Sequence, residues 1–539
     1  MSVMAYAPYG AGGIIIRVEA DIRRGIPGID ISGLAAGAVQ EARERVRAAF
    51  RNSGFSFPLD RILINLAPAG VKKDGAALDL PIALAVMAAA ETAPVPPNLL
   101  VMGELELSGR VRPVRGVLAA IAAGLEEGIT EFIVPAENAG EAAILGGGTG
   151  KNAAMRFTAV STLREAVDAL FAREETGALP QKLHLTHVPD TTENTGDFAD
   201  VRGQAIYKRA LEIAAAGGHN MLVFGPPGAG KTMLARRLPS IMAPLTSDEA
   251  VEVTRLHSLA GPQTGTGSHN GFIDRLITSP PFRAPHHSAS AEGILGGGRT
   301  PRPGEISLAH FGVLFLDEAP EFKVNVLQAL REPLEDRVIS ISRAEGPVRL
   351  PAEFQLLLAS NACPCGRLGI RQGECLCSPE EISRYWRKFG GALLDRVEIR
   401  AAVIPPDISE IGKRQAGDNS SGDERSADVA KRVQAAVAIQ RGRFQGMGIR
   451  RNALIPAGKI ESLCPMSEQA HNAFQKALAH LGLSGRAYHG ILRVARTIAD
   501  LDGKEVIDTV HILEAVQHRR YGEDPYEIIT LVSSRESYR

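Results

Sequence analysis

Apolar and polar residues follow two patterns in the first third of the chain. Short runs rich in Ile, Val and Leu have the length of β-strands, whereas longer alanine-rich segments repeat their apolar residues at helical spacing. This mixture indicates an α+β or α/β domain. The predicted strands are residues 14–20, 61–66 and 131–135, and the predicted helices are residues 39–50, 80–90 and 117–127.

The middle of the chain contains three strongly apolar runs, and each leads into residues that can carry chemistry. These runs predict buried strands at residues 221–224, 313–316 and 354–361. Residues 233–241 predict a helix that follows the first of these strands after the connecting residues 225–232. A β-hairpin is predicted at residues 338–343 and 348–350, because apolar and polar residues alternate in both segments. Glu345 and Gly346 form the predicted turn between them.

Chain length and two polar stretches predict the domain organisation. With 539 residues and roughly 150 residues per domain, we expect three to four domains. One polar stretch is rich in Thr, Pro and Gly and the other in Asp, Asn and Ser, which favours a linker and a mobile surface loop. The predicted parts are a domain at 1–173, a linker at 174–197, a domain at 198–405, a loop at 406–428 and a helical domain at 429–539.

Charge and apolar content exclude two classes of protein. Sixty Lys and Arg residues against 61 Asp and Glu residues give a net charge of −1, so a protein that coats DNA by bulk attraction is excluded. A basic channel remains compatible with this balance. No signal peptide is recognisable, and the longest apolar stretch, residues 80–90, is too short to span a bilayer. We therefore expect a cytoplasmic protein with no membrane association.

A complete phosphate-binding motif follows the strand predicted at residues 221–224. It fits G-x-x-x-x-G-K-[ST], in which glycines allow several backbone N–H groups to point at one phosphate chain. Lys231 is expected to bridge the β- and γ-phosphates of ATP, and Thr232 to bind Mg²⁺. The predicted nucleotide-binding residues are Gly225, Pro226, Pro227, Gly228, Ala229, Gly230, Lys231, Thr232 and Met233.

The other two strands end in residues suited to ATP hydrolysis. Asp317 and Glu318 follow residues 313–316, as in P-loop ATPases in which the first carboxylate holds Mg²⁺ through water and the second deprotonates the attacking water. Asn361 ends the next strand, at the position called sensor 1 in AAA+ ATPases. Together with the phosphate loop, these residues indicate ATP hydrolysis rather than nucleotide binding alone.

Four of the five cysteines lie close together in sequence. Cys363, Cys365, Cys375 and Cys377 form two C-x-C pairs that can supply four thiolates to one structural Zn²⁺. The alternative is four reduced surface thiols, but the clustering favours zinc. A second metal candidate, the pair His286 and His287, lacks acidic or cysteine partners nearby in sequence and is interpreted as structural.

Long and specific motifs occur at residues 282–290, 293–298, 303–310, 314–318 and 487–501. Together they resemble the magnesium-chelatase branch of AAA+ ATPases, and more narrowly the ComM/YifB competence-type family. The resemblance covers essentially the whole chain. It implies an α/β multidomain protein with an AAA+ P-loop core at 198–405 and a helical lid at 429–539. The four clustered cysteines add a predicted zinc-binding insert at 363–377 within that core.

The resemblance also implies assembly and activity. We expect a homo-hexameric ring that acts as an ATP-driven motor or helicase on single-stranded or branched DNA and promotes branch migration during natural transformation. Two insertions, at about residues 286–305 and at the predicted hairpin, are expected to face the ring channel. Arg343 and Arg349 of the hairpin would then contact DNA phosphates; the alternative is that they are only exposed to solvent. The alternatives are a chelatase-type motor subunit and an unfoldase-type remodeller, both acting on a protein partner.

Two arginines are candidates for contacts to the nucleotide. Arg396 follows the short apolar segment Leu393–Leu394 and is the candidate finger that reaches the γ-phosphate of the neighbouring subunit; an ordinary surface arginine is the alternative. Arg486, near the start of the helix predicted at residues 487–501 and after the possible cap Ser484, is the candidate for sensor 2. Arg493 on the same helix is the alternative sensor.

The first domain resembles the proteolytic domain of Lon, an α+β fold of the ribosomal-S5 type. The resemblance rests on residues 72–77, 102–111 and 124–135. Lon cleaves with a Ser–Lys dyad, but here Ala77 stands at the nucleophile position and Leu118 at the lysine position. Neither side chain can act as a nucleophile or a base, so no protease activity is expected.

Overall fold

The structure is a computed structural model. It describes residues 2–33, 37–70, 73, 75–146, 155–179, 196–261, 268–269, 272–298, 300–343, 347–368, 375–403, 424–481 and 485–520. Most of the predicted linker and mobile loop, the hairpin turn at Glu345 and Gly346, and the possible cap Ser484 lie outside the described residues.

The N-terminal region is built on a mixed sheet with helices packed on it. Apolar side chains alternate along the strands and fill two clusters, one on each face of the sheet. The strands are β1 (Ser2–Tyr9), β2 (Gly12–Arg23), β3 (Gly28–Ser32), β4 (Arg61–Ala67), β5 (Leu99–Val101), β6 (Glu104–Leu105), β7 (Val111–Arg112), β8 (Glu131–Pro135) and β9 (Arg156–Val160), and the helices are α1 (Gly37–Asn52), α2 (Asp79–Ala89), α3 (Val117–Glu126), α4 (Ala139–Gly146) and α5 (Leu163–Thr176).

The order of strands in this sheet is β3-β4-β2-β1-β5-β8-β9. The β1–β2 and β2–β4 pairs are antiparallel, whereas β3–β4, β1–β5, β5–β8 and β8–β9 are parallel. A mixed sheet with helices packed against it confirms the predicted α+β character of this region.

The central region is an α/β unit around a wholly parallel sheet. Its strands are buried on both faces, as expected for continuous apolar runs. The strands are β10 (Met221–Phe224), β11 (Ser268–His269), β12 (Phe272–Ile273), β13 (Phe282–Arg283), β14 (Val313–Leu316), β15 (Val338–Ile341), β16 (Val348–Pro351), β17 (Gln355–Ser360) and β18 (Ile399–Ala402), and the helices are α6 (Ala205–Gly217), α7 (Lys231–Ala235), α8 (Ser247–Ala260), α9 (Ala291–Leu295), α10 (Glu305–Leu308), α11 (Val324–Ala329), α12 (Arg331–Asp336), α13 (Pro379–Arg387) and α14 (Gly391–Leu394).

The central sheet has the strand order β13-β14-β17-β10-β18, and all four neighbouring pairs are parallel. The carboxyl ends of β14, β17 and β10 therefore lie side by side at one edge, which is where ligands bind in open α/β sheets. The predicted hairpin is confirmed as the antiparallel pair β15–β16, in which Ile339 faces Leu350.

The C-terminal region is helical and packs against one face of the central sheet. Its helices are α15 (Ser426–Arg443), α16 (Ile460–Leu463), α17 (Glu468–Leu481), α18 (Gly485–Leu501) and α19 (Thr509–Arg520). Apolar residues of α15, α18 and α19 share one buried cluster with residues of β10, β14, β17 and β18.

The element predictions hold with local corrections. The helix expected at residues 233–241 is interrupted: α7 ends at Ala235, and a separate 3₁₀ turn covers Leu238–Ile241. Pro239 explains the break, because it lacks the N–H group that an uninterrupted helix needs at this position. Helix α5 continues to Thr176 and ends at the left-handed Gly177, inside the stretch predicted as linker.

The N-terminal region contacts the central region through side chains and backbone. Ser258, near the end of α8, accepts a hydrogen bond from Gly116 N on its carbonyl oxygen and donates one through Oγ to Glu141, which is almost completely buried. The turn between β1 and β2 reaches the central region as well, where Gly10 N donates to Pro301 O at 3.1 Å. No helix among the described residues has both the length and the apolar character needed to cross a lipid bilayer.

Candidate functional site

The phosphate loop connects β10 to α7 in a conformation that only glycine adopts easily. Gly228 and Gly230 have φ angles of 77° and 83°, in the left-handed region. A Cβ atom on Gly225 would lie 2.1 Å from the carbonyl oxygen of Val403, so this position also excludes a side chain. Tyr207 Oη donates a hydrogen bond to Lys231 O at 3.1 Å and ties the start of α7 to α6.

Lys231 is buried at the centre of the site. Its Nζ donates to Gly225 O at 2.7 Å, to Pro226 O at 2.9 Å and to Asn361 Oδ1 at 3.2 Å. Burial lowers the pKa of Lys231, while the charges of Asp317 and Glu318 raise it. The ammonium group therefore lies between the loop and the end of β17, where it can exchange loop carbonyls for phosphate oxygens.

Asp317 and Thr232 are brought together although they are 85 positions apart. Thr232 Oγ1 donates to Asp317 Oδ2 at 2.8 Å, and Glu318 N donates to Asp317 Oδ1 at 3.0 Å. Hydroxyl and carboxylate oxygens are the ligands that Mg²⁺ prefers, so this pair fits a magnesium ion on a bound nucleotide.

Glu318 is exposed beside these groups and has an unusual backbone. Its φ and ψ angles are 49° and 45°, which is a left-handed conformation rarely adopted by residues other than glycine. Such strain occurs at sites where a side chain must be aimed. His287 lies next to it, with Nδ1 4.0 Å from Glu318 Oε2, so the histidine pair lies at the nucleotide site. No sequence pattern predicts this position for His287.

The predicted arginines lie at the opposite edge of the sheet within the same chain. Asn220 precedes β10, and its Nδ2 donates to Arg396 O at 2.8 Å, which places Arg396 at the amino end of that strand. Both Arg396 and Arg486 form ion pairs with Glu335, each at 2.6 Å. Arg493 donates from Nε to Ile455 O at 2.9 Å. Neither Arg396 nor Arg486 has a hydrogen bond or ion pair to the phosphate loop within the described part of the chain.

Sequence reasoning missed Glu335. It belongs to the short helix α12, ahead of the predicted hairpin, and no recognised motif includes it. Only the fold brings α12, Arg396 and the start of α18 together, so no local signal marks this carboxylate.

The two predicted insertions contact each other. Arg343, beyond β15, donates from Nη2 to Gly298 O at 2.6 Å, which joins the hairpin to the segment after α9. Ile294 of α9 and Leu350 of the hairpin are buried in the same apolar cluster. The side chain of Arg349 is exposed on the hairpin.

Four thiol groups converge beside the phosphate loop. The Sγ atoms of Cys363, Cys365, Cys375 and Cys377 all lie within 4.8 Å of one another. Cys363 Sγ is 3.4 Å from Cys365 Sγ and 3.6 Å from Cys375 Sγ. A Zn–S bond of about 2.3 Å in a tetrahedron separates the sulfurs by about 3.8 Å, so the cluster fits one zinc ion.

The surroundings of the cysteines link them to the nucleotide site. Burial raises the pKa of Cys363 to about 11, so a free thiol there is protonated at neutral pH. A Cβ on Gly366 would lie 3.2 Å from Pro227 Cδ, which shows how closely the cysteine segment approaches the phosphate loop. Trp386 Nε1 donates a hydrogen bond to Ala362 O at 3.1 Å, which fixes the residue directly before Cys363.

The N-terminal region offers no groups for a Ser–Lys dyad at the aligned positions. Leu118 is fully buried in α3, and its backbone N donates to Glu141 Oε1 at 2.7 Å. Ala77 is partly buried and packs on the apolar cluster that includes Val117 and Ile121.

Comparison with protein families assigns most of the chain. Residues 197–411 match the family described as magnesium chelatase, subunit ChlI, and residues 423–519 match the C-terminal part of that subunit. Residues 18–138 match a further family described as subunit ChlI of Mg-chelatase.

Individual relatives extend over nearly the full chain. Competence protein ComM of Haemophilus influenzae is 39% identical over 519 residues, which are 96% of this chain and 97% of that protein. The uncharacterized protein YifB of Escherichia coli is 39% identical over 515 residues, which are 95% of this chain and 96% of that protein. Lon protease of Salinispora arenicola is 31% identical over 136 residues, which are 24% of this chain and 18% of that protein. The chain therefore belongs to the ComM/YifB family of magnesium-chelatase-like AAA+ proteins, with a Lon-like N-terminal region.

Proposed function

We propose that the protein is an ATP hydrolase that assembles into a homo-hexamer and moves along single-stranded or branched DNA, promoting branch migration during recombination in natural transformation. The observation that carries the proposal is the split arrangement of the ATPase residues. Lys231, Thr232, Asp317, Glu318 and Asn361 lie at one edge of the central sheet, and Arg396 lies at the other. A site divided in this way is completed when a second copy brings its arginine edge to the nucleotide edge of the first.

Each group at the nucleotide edge has a role in ATP hydrolysis. Lys231 and the loop N–H groups bind the β- and γ-phosphates, and Asn361 orients the γ-phosphate or the attacking water. Glu318 takes the proton from this water as its oxygen forms a bond to the γ-phosphorus and the bond to ADP breaks. Bound Mg²⁺, held through Thr232 and Asp317, supplies positive charge against the phosphate oxygens.

The arginines complete the proposed site from the neighbouring copy. Arg396 is the finger that stabilises the charge on the transferred phosphoryl group, a role worth about 10³–10⁵ in kcat in related chemistry. Arg486 belongs to the lid and reaches the same region, so we assign it the sensor-2 role across the subunit boundary. Arg493, whose Nε is bound to Ile455 O, is the alternative sensor.

The DNA part of the proposal is supported by the two insertions. They contact each other through Arg343 and Gly298 and carry exposed basic side chains on the hairpin. A net charge of −1 means that any DNA-binding surface must be local, as expected for a basic channel. Phosphate contacts from Arg343 and Arg349 would bind DNA without regard to sequence.

The cysteine cluster has a structural role in this proposal. Zinc held by the four sulfurs would fix the cysteine segment, in which Gly366 lies close to Pro227 of the phosphate loop. It would thereby hold one side of the loop in place.

ATP turnover with and without DNA tests the proposed function. Addition of single-stranded or four-way-junction DNA should raise the rate of ATP hydrolysis, and the increase should disappear at high salt because phosphate contacts are screened. A turnover rate that DNA leaves unchanged, but that an unfolded protein substrate raises, would instead favour a remodeller of protein partners.

A further inference from the structure

A cavity opens at the arginine edge, between the central sheet and the helical lid. It has a volume of about 520 Å³. Four guanidinium groups line it, from the central region and from the lid, and they belong to Arg337, Arg396, Arg486 and Arg493.

Glu335 bridges two of these guanidinium groups. Its Oε2 lies 2.6 Å from Arg396 Nη2, and its Oε1 lies 2.6 Å from Arg486 Nη2. One carboxylate thus uses both oxygens to hold an arginine of the central region beside an arginine of the lid. These charge-assisted contacts are those that two oxygens of a phosphate group make with paired arginines.

The buried side chain of Arg396 has few polar partners besides the Glu335 carboxylate among the described residues. Its side chain is 90% buried, and its Nε has no hydrogen-bond partner among the described residues. Besides Glu335, Arg396 Nη1 donates to Ala392 O at 2.5 Å. A buried guanidinium with spare donors retains the capacity to bind a further anion.

The formal charges that line the cavity cancel. The four arginines are balanced by the four carboxylates of Glu335, Glu353, Asp395 and Glu398, which gives a formal charge of zero. The hydrogen bond from Arg396 lowers the pKa of Glu335, so its carboxylate is ionised at neutral pH. Removal of this single charge would leave the cavity at +1 and attractive to a phosphate group.

We infer that Glu335 is a positioning residue that stands in for the terminal phosphate of a neighbouring subunit's nucleotide. In the free protomer it holds Arg396 and Arg486 together, and during ATP-dependent assembly it releases them to the phosphate. The inference rests on the proposed completion of the site across subunits. Glu335 then opposes assembly, because its carboxylate must be displaced from the arginines before they can bind the phosphate.

Assembly with a non-hydrolysable ATP analogue tests this inference without DNA. Glu335→Gln keeps the shape of the side chain but removes the competing charge. The protein concentration at half-assembly, measured by analytical ultracentrifugation, should fall by about fivefold, as expected when an ion pair worth about 1 kcal/mol no longer competes. Glu335→Ala, which removes the carboxylate without introducing an amide, should also assemble at a lower concentration than the wild type.

Two further variants make the result specific. Glu332→Gln changes an exposed glutamate on the same helix and should assemble like the wild type. The double variant Arg396→Ala with Glu335→Gln should lose the gain, because the released arginine is absent. A role of Glu335 in stability alone would not predict tighter assembly.

The outcomes separate this inference from the proposed function. If Arg396→Ala weakens assembly or turnover but Glu335→Gln assembles no better than the wild type, the role of Glu335 is refuted and the composite site stands. If Arg396→Ala assembles and turns over ATP like the wild type, the composite site itself is refuted, and with it the inference.

Discussion

Two charged groups of the nucleotide site, Lys231 and Asp317, already have hydrogen-bond partners within it. Lys231 bonds to Asn361, and Thr232 bonds to Asp317, so three strand ends share one network. Such networks cost little rearrangement when a ligand binds, because the donors and acceptors already point at a common region. Glu318 joins this network only through its backbone N–H, and its side chain is exposed on a strained backbone, as expected of a group that acts on water.

Replacement of Glu318 tests its role as the base. Glu318→Gln should lower kcat by at least about 100-fold, because an amide cannot accept the proton from water, while ATP binding is retained. Steady-state hydrolysis and equilibrium binding of a fluorescent ATP analogue measure the two properties. Glu321→Gln, three residues away and exposed, is the matched control and should hydrolyse ATP normally. Normal turnover in Glu318→Gln would remove this residue from the mechanism.

Sequence could predict the residues of the nucleotide edge but not their partners. The phosphate motif and the polar ends of buried runs mark Lys231, Asp317 and Asn361 because strand ends of a parallel sheet meet at one edge. The contacts of Glu335 and of His287 depend on elements far apart in the chain, and no spacing rule reports them.

At the scale of elements, apolar patterning gave the correct type for the strands and helices that it predicted, except over residues 233–241. The predicted helix 80–90 is shifted by one position from α2, and the predicted helix 117–127 extends one residue past the end of α3. The error at residues 233–241 arose because helical spacing of apolar residues continued past Ala235, where Pro239 prevents a continuous helix. Packing between regions, such as Gly10 against the hairpin, has no periodic signal.

Gly10 allows the β1–β2 turn to approach the hairpin closely. It has a φ of +67°, and a Cβ there would lie 2.5 Å from Val348 Cγ1. Gly10→Ala should therefore destabilise the protein by about 1–3 kcal/mol, through backbone strain and displacement of Val348. The midpoint of thermal unfolding measures the loss.

Gly12, the first residue of β2 and next to this turn, provides a control. A Cβ on Gly12 meets no atom within 4 Å, and its φ lies outside the left-handed region, so Gly12→Ala should unfold close to the wild-type temperature. Equal midpoints for the two variants would contradict the packing of this turn against the hairpin.

The cysteine segment should contain zinc. Metal analysis of the purified protein is expected to find about one zinc per chain, and Cys365→Ser or Cys377→Ser should lower this to near zero. Loss of zinc should also weaken ATP binding, because the cysteine segment would no longer keep its position close to Pro227 of the phosphate loop. Cys464→Ser is the control, since this cysteine is buried away from the cluster in the lid region and should leave the zinc content unchanged. A metal-free wild-type protein that binds ATP normally would contradict this role.

At the scale of the whole molecule, the two edges of the central sheet have different chemistry. One edge carries the phosphate loop and the acidic residues, and the other carries the arginine cavity. In the hexameric ring that we propose, one edge would lie against the other at every interface between copies. The Lon-like region contacts α8 and the segment near Pro301, so it is connected to the same insertions that we propose to move DNA.

The migration of a fluorescently labelled four-way junction tests the central claim, that ATP hydrolysis drives movement on DNA. With ATP, the wild-type protein is predicted to convert the junction to its strand-exchanged products. A non-hydrolysable analogue, or Glu318→Gln with ATP, should leave the junction intact. Full ATP hydrolysis by the wild type with no conversion of the junction would contradict the account.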